Sequence, residues 1–349
     1  MIGAMEKIPF SEDWYACRLS SYLVGRIRGF SRISEFIRLK GGQSNPTYRL
    51  ITDAGSYVLR MKPGRSSDLL PSAHAIDREY RVMSALEKAG IPVPSVLTYC
   101  DDEEVIGRQF YLMHFVQGRV FWDQSLPSLE RAERRQIYHE ANRVLAALHR
   151  VDYQAIGLAD FGKADNFLER QIARWSKQYR ASETESIDAM ERLMEWLPSH
   201  IPEHEERSVV HGDYRLDNLI FHPAEPRIIG VLDWELATLG HPFADFAYHC
   251  LGYRIAPSQF RGIAGLDLEK LGIPCEREYV DLYCKQSNRE RIDHWEYYIA
   301  YNLFRLAAIL QGIAHRAIQG TAADDNAAAV GRQARVLAEL GWSAAISGR

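Results

Sequence analysis

Two short apolar runs, Leu219–Phe221 and Ile228–Leu232, flank the segment His222-Pro223-Ala224-Glu225-Pro226. Two prolines in five residues bar a continuous helix, so the pair reads as a β-hairpin. Each open end carries an oxygen-bearing side chain: Asn218 immediately before the first run and Asp233 immediately after the second. In an antiparallel ribbon such residues oppose one another with Cβ atoms roughly 5 Å apart. One amide oxygen and one carboxylate at that separation suit Mg²⁺, which takes oxygen ligands and keeps places for phosphate and water. Asp213, five residues ahead of Asn218 in the loop entering the hairpin, is placed to receive a proton from an attacking hydroxyl.

The rest of the chain limits what such a site can serve. At 349 residues the chain is longer than one core usually fills, so two lobes are expected. The 42 Lys and Arg against 46 Asp and Glu leave a net charge of −4, which argues against nucleic acid or an acidic membrane surface as partner. Five cysteines, odd in number and without a CxxC pair, form neither a zinc ribbon nor a disulfide framework and suit a reducing cytoplasm. The first fifteen residues carry charge and Pro where a signal peptide needs an apolar run. The greasiest stretch, Tyr297 to Ala314, is interrupted by Asn302, Arg305 and Gln311, so no transmembrane helix is expected and the location expected is cytoplasmic.

Pattern along the chain divides it unequally. Thr47–Ile51 and Tyr57–Lys62 flank the turn cluster Asp53-Ala54-Gly55-Ser56 and read as a hairpin, with a third strand at Gln109–Met113. One helix, about Ala73 to Ala89, carries Ile76, Tyr80, Met83 and Leu86 on one face and is stopped by Gly90 and Pro92. At ~100° per residue Glu79 projects into that apolar stripe, where an unpaired carboxylate is costly. It needs a cation, and Arg60 and Lys62, on one face of a strand by alternation, are the candidates. Beyond Gly118 helices dominate, marked by Ile137–Leu148, the surroundings of Trp175, Met190–Leu197 and Trp295–His315. The expected class is α+β, with a β-rich N-terminal lobe (1–113), a hinge (114–118) and a larger, mainly helical C-terminal lobe (119–349).

A loop Asp, an Asn five residues later and an Asp after a hairpin form the arrangement used for phosphoryl transfer. Here His211-Gly212-Asp213 stands in place of His-Arg-Asp, and Asp233-Trp234-Glu235 in place of Asp-Phe-Gly. Both substitutions resemble the aminoglycoside phosphotransferase-like kinases. The run from His211 to His249 looks most like the kinase-like domain found fused to acyl-CoA dehydrogenases. The resemblance implies a bilobal protein-kinase-like fold and the use of ATP and Mg²⁺. It implies catalysis by Asp213, metal binding by Asn218 and Asp233, and structural support from His211 and Asp245. Lys40-Gly41-Gly42-Gln43-Ser44-Asn45 resembles the family's nucleotide loop, with Gly42, Ser44 and Asn45 near phosphate. Aligned on the Val-Ala-Ile-Lys pattern, Arg60 takes the place of the phosphate-binding lysine, with Lys62 as its rival and Glu79 behind it. Met113 would line an adenine pocket, and backbone groups of His114 and Val116 would bond the base edge. Glu235 would assist metal or substrate, or stand as a solvated loop charge.

The reaction expected is transfer of the ATP γ-phosphoryl to a hydroxyl of a small molecule. The family's antibiotic substrates are polycations and call for an acidic pocket. From Arg254 to Arg316 there are nine Arg and Lys against eight Asp and Glu, so an aminoglycoside acceptor is the weaker alternative. Resemblance to the dehydrogenase-linked domain points instead to a hydroxyacyl-CoA or related metabolite, and to a functional link with an acyl-CoA dehydrogenase. A catalytically silent nucleotide-binding or interaction module, and a metal-dependent phosphoester hydrolase, stand as the other accounts.

Overall fold

The alternating segment after Asn45 folds as the hairpin its turn residues demand. In the computed structural model, which describes residues 6–7, 13–39, 45–64, 75–163, 165–320 and 327–347, β3 (Thr47–Thr52) pairs with β4 (Gly55–Met61) from Thr47↔Arg60 to Thr52↔Gly55. Gly55 takes φ +133°, a conformation few side-chain-bearing residues adopt. Thr52 Oγ1 closes the turn by accepting from Ala54 N (3.1 Å) and donating to Gly55 O (2.9 Å).

Two units make up the chain, Met1–Gly118 with Ile229–Glu235, and Arg119–Ile228 with Leu236–Arg349. The first is built on an antiparallel sheet of β1 (Glu6–Lys7), β2 (Ile33–Arg38), β3, β4, β5 (Val96–Cys100) and β6 (Phe110–His114), in the order β1-β2-β3-β4-β6-β5. Alternation sorts its two faces. Tyr57, Leu59, Met61, Phe110 and Leu112 enter a core closed by Leu19 and Leu23 of α1 (Asp13–Leu23). Arg60 and Tyr111, directly paired across β4 and β6, point the other way, toward α2 (Ile76–Lys88), which packs on β5 and β6. Ile76, Val82, Met83, Ala85 and Leu86 bury that helix's apolar stripe, and Glu79 is buried among them as its position on the helical wheel predicts. The three strands expected from the sequence lie within two residues of their expected bounds. β5, which follows two prolines and has no regular alternation of burial, was not expected, nor was α1.

The second unit is mainly helical: α3 (Arg131–His149), α4 (Phe167–Ala181), α5 (Asp188–Ser199), α6 (Pro242–His249), α7 (Leu268–Leu271), α8 (Glu276–Gln286), α9 (Trp295–Ile318), α10 (Ala327–Gly331) and α11 (Gln333–Ser347). α9 is buried almost all round because α4, α5, α6, α10 and α11 pack on it. Among the described residues no helix is long and apolar enough to cross a membrane. β7 (Ser208–Val210) pairs antiparallel with β10 (Thr238–Gly240), a ribbon the sequence reading did not foresee. The expected apolar runs are strands β8 (Leu219–Phe221), in this unit, and β9 (Ile228–Val231), most of which belongs to the first.

Candidate active site

In the first unit the candidate residues gather on the α2 face of the sheet. Arg60 Nε lies 2.9 Å from Glu79 Oε2, and Arg60 Nη2 lies 3.4 Å from both Asp233 Oδ1 and Glu235 Oε2. Tyr111 donates its hydroxyl to Glu79 Oε2 (3.0 Å) and Asn45 Nδ2 donates to Glu79 Oε1 (3.1 Å). Burial pushes the Glu79 carboxyl up to about 7, against the pull of the Arg60 guanidinium and the Tyr111 hydroxyl. Burial also works against the Arg60 charge, but Glu79, Asp233 and Glu235 outweigh it and hold the guanidinium above its ordinary pKa. Of the two cations the sequence left open, Arg60 is the one paired with Glu79. Lys62 sits past the end of β4, its N–H bonded to Gln109 O (3.0 Å).

Asp233 follows β9 with φ +66°, a left-handed conformation rare outside glycine and Asn/Asp and frequent where side chains are aimed for function. The bond from Val231 N to Pro92 O (2.8 Å) ties the strand before it to the loop after α2. Met113 is buried on β6, opposite Val58 and on the same face as Tyr111 and Arg60. The N–H of His114 is committed to Ser95 O (2.9 Å). Val116 is partly buried two residues on. Gly42 and Ser44 lie outside the described residues. Asn45, the loop's last residue, is buried with its amide turned to Glu79, and its Oδ1 has no hydrogen-bond partner among the described residues.

In the second unit, the loop after β7 is held from below. Asp245, on α6, accepts from His211 N (2.7 Å, Oδ2) and Gly212 N (2.8 Å, Oδ1), and its Oδ2 lies 3.1 Å from His149 Nε2. Burial raises the Asp245 carboxyl, but His149 and the loop N–H groups prevail and hold it below its ordinary value. Burial lowers His149, so the ring is neutral, with Nε2–H on Asp245 and Nδ1 facing the Tyr283 hydroxyl (2.7 Å). Gly212 has φ +83°, and a Cβ there would meet Leu236 O at 2.9 Å. His211 is fully buried and its Nδ1 accepts from Asp213 N (3.1 Å), a turn-forming contact.

Asp213 is pinned by two hydrogen-bond donors and a neighbouring guanidinium. Tyr248 OH donates to Oδ1 (2.6 Å), Asn218 Nδ2 donates to Oδ2 (3.0 Å) and to the Asp213 carbonyl (2.9 Å), and Arg215 Nε lies 3.1 Å from Oδ1. With its amide nitrogen so used, Asn218 directs its oxygen away from Asp213. Arg305 Nη2 donates to Gly212 O (2.6 Å). Burial, with Asp213 beside it, holds Tyr248 protonated. The structure therefore joins Asp213, Asn218, His211 and Asp245 in one unit, and Arg60, Glu79, Asn45, Met113 and Asp233 in the other. The sequence reading passed over Tyr248, Tyr111, His149 and Arg215. Two of them had a signal: Tyr248 is one helical turn beyond Asp245, and Tyr111 is two strand positions before Met113.

A rigid carboxylate beside an amide, on a loop braced by a buried Asp, can orient a hydroxyl and take its proton. A buried Arg–Glu pair flanked by two further carboxylates can hold phosphate charge and a hard cation. Comparison with known proteins bears on the family and the fold. Residues 35–279 match the phosphotransferase enzyme family. Acyl-CoA dehydrogenase family member 10 of Mus musculus is 49% identical over 328 residues, covering 93% of this chain; the chain spans only 30% of that relative's length. A Ralstonia eutropha crystal structure named as a "putative aminoglycoside phosphotransferase" is 53% identical with a TM-score of 0.88, covering 95% of this chain and 98% of the other. Choline kinase from Cryptosporidium parvum, at 11% identity and TM-score 0.57, shares the fold, covering 95% of this chain and 94% of its own. The expected α+β protein-kinase-like fold is therefore present, the expected kinship to the dehydrogenase-linked domain holds, and the chain belongs to the phosphotransferase enzyme family.

Proposed function

We propose that the chain transfers the γ-phosphoryl of ATP to a hydroxyl of a small metabolite, with Mg²⁺ as the metal. Asp213 orients the acceptor hydroxyl and takes its proton late, since a loose transition state asks little of the base. Tyr248 and Asn218 keep the carboxylate in one rotamer, and Asp245 keeps the loop in place. Arg60 grips phosphate, with Glu79, Asn45 and Tyr111 fixing its direction; Lys62 lies at the margin. Gly42 and Ser44 cover the phosphates, and Met113, His114 and Val116 receive the base. Asn218 and Asp233, with Glu235 two residues after the latter, supply an oxygen-only set of the kind Mg²⁺ takes. Bound there, the metal neutralises charge developing on the phosphates. In this reading residues 1–113 are the nucleotide lobe, 114–118 the hinge and 119–349 the catalytic and substrate-binding lobe, in a cytoplasmic protein.

The observation that carries the reading is the Arg60 guanidinium, which engages Glu79 on one side and Asp233 and Glu235 on the other. A merely structural ion pair has no need of two further carboxylates at 3.4 Å. The mouse relative's name points to acyl-CoA chemistry, so the acceptor proposed is a hydroxyacyl-CoA or related metabolite, linked in function to an acyl-CoA dehydrogenase. The test is ATP consumption over a panel of hydroxylated metabolites that includes hydroxyacyl-CoA thioesters. ADP release that depends on an acceptor is expected. Release independent of every acceptor would make the protein a hydrolase, and no release at all would make it a silent nucleotide-binding module.

A further inference from the structure

A pocket within the second unit is walled by the rings of Trp122, Tyr138, Tyr253, Phe260 and Tyr279. Two other residues that line it, Tyr248 and Arg215, are those in contact with Asp213 Oδ1, so the pocket is one side chain away from the candidate base. Two guanidiniums of the wall share a single carboxylate. Arg215 Nη2 and Arg261 Nη1 both approach Asp217 Oδ2, at 3.3 and 2.8 Å. Arg261 also lies 5.6 Å from the Trp122 ring and 5.9 Å from the Phe260 ring. With Asp213 also held by Arg215, two guanidiniums face two carboxylates, so the wall has no acidic surplus to attract a polycation.

The tyrosines of the wall are not equivalent. Tyr138 donates to Gln124 O (2.7 Å), and Tyr279 donates to Tyr138 O (3.0 Å). The Tyr253 hydroxyl is buried and has no hydrogen-bond partner among the described residues. Burial holds it protonated, so it is a donor in want of an acceptor. Buried hydroxyls are nearly always paired, and one that is unpaired at a pocket wall calls for a partner from the ligand.

We infer that this pocket receives the body of the phosphoryl acceptor and that the Tyr253 hydroxyl pairs with a second oxygen of that molecule. The acceptors selected are hydroxy compounds of neutral or negative charge with an apolar body and a further carbonyl or ether oxygen. The assignment rests on the phosphotransferase reading above, but its test does not need turnover.

Three aromatic alcohols separate the parts: methyl mandelate (neutral, with an ester carbonyl), benzyl alcohol (neutral, without one) and phenylglycinol (cationic). Each is titrated against the whole chain, following the intrinsic fluorescence component that Trp122→Phe removes. Methyl mandelate is expected to bind at least about threefold tighter than benzyl alcohol, the value of one neutral hydrogen bond. It should bind at least about tenfold tighter than phenylglycinol. Tyr253→Phe should erase the first preference while melting at the wild-type temperature, because the hydroxyl it removes has no partner in the free protein. Arg261→Glu should narrow or reverse the second. Phenylglycinol binding as tightly as the ester, an ester advantage that survives Tyr253→Phe, or no saturable signal from the ester would each overturn the assignment. If the binding order holds but no member of the hydroxylated panel supports ATP consumption, the pocket is a site for neutral alcohols with a second oxygen, and the kinase reading and the acceptor role both fall. If aminoglycosides are turned over and the binding order is lost, the pocket assignment falls and the kinase reading stands.

Discussion

Arg60 Nε meets Glu79 Oε2 at 2.9 Å across a strand-to-helix contact that leaves the carboxylate side chain 3% exposed. Arg60→Ala would strand a buried charge, at a cost of about 3–5 kcal/mol. The loss should grow with pH. Burial already holds Glu79 up to about 7 with its partner present, and without Arg60 its folded pKa rises further. Protonation relieves the cost below that value, and ionisation above it restores the cost. Urea unfolding near pH 5.5 and pH 8 should therefore show the larger deficit at the higher pH. Equal deficits would mean that Glu79 is not the partner that matters.

Asp245 offers the second test, because both of its oxygens are committed to loop N–H groups and one also to His149. Asp245→Asn would turn an NH₂ group toward a backbone donor, leaving at least one buried N–H unpaired. The expected loss is about 2–4 kcal/mol in unfolding. Turnover should fall while KM for ATP changes little, since the residues holding nucleotide in the proposed function lie mostly in the other unit. A variant with unchanged turnover would remove Asp245 from the support of Asp213.

Periodicity made the sheet hairpin, α2 and the position of Glu79 legible, because each is local: alternation over seven residues or a helical wheel over thirteen. Arg60 against Lys62 could not be decided that way. Both share a face of the strand, and only the approach of α2 selects the one opposite Glu79. The bracing of Asp213 was hidden for the same reason. Tyr248 is 35 residues away and the His149 that supports Asp245 is 96 residues from it, so both depend on how helices pack. β7 and β10, three residues each, are too short for alternation to show. Asn45 read as a phosphate contact because its loop is glycine-rich, yet its amide is turned inward onto Glu79.

The roles proposed for the two aspartates separate under calorimetry. Asp213→Ala removes the base but none of the groups proposed to hold nucleotide, so transfer should fall by about a hundredfold or more while ATP binding survives. Asp233→Ala removes a metal ligand and should abolish the Mg²⁺ dependence of nucleotide binding. It also frees Arg60 Nη2 from one of its carboxylates, so residual metal-independent binding is expected rather than none. Mg²⁺ dependence that persists in Asp233→Ala would defeat the metal assignment.

His241 and His149 make the protein acid-sensitive from within. His241 caps α6, its Nδ1 accepting from Phe243 N (3.2 Å), while Nε2 faces His204 O (3.2 Å). A proton on Nδ1 would break that cap, and burial lowers the ring's pKa to about 4. Burial lowers His149 as well. In the unfolded chain both rings take a proton near pH 6.5. Between about pH 6.5 and 4 these two rings therefore hold more protons in the unfolded state than in the folded one, and their contribution to stability falls as pH falls through that window. Above pH 6.5 the contribution is fully present, and below about 4 His241 adds no further loss. His241 alone accounts for up to about 3 kcal/mol. Asn at this position keeps a capping oxygen but cannot titrate. His241→Asn should therefore flatten the dependence of Tm on pH between about 6.5 and 4.5 relative to the parent protein, even if its Tm at neutral pH is somewhat lower. A variant whose curve keeps the parent's slope would show that this buried ring is not where the acid sensitivity resides.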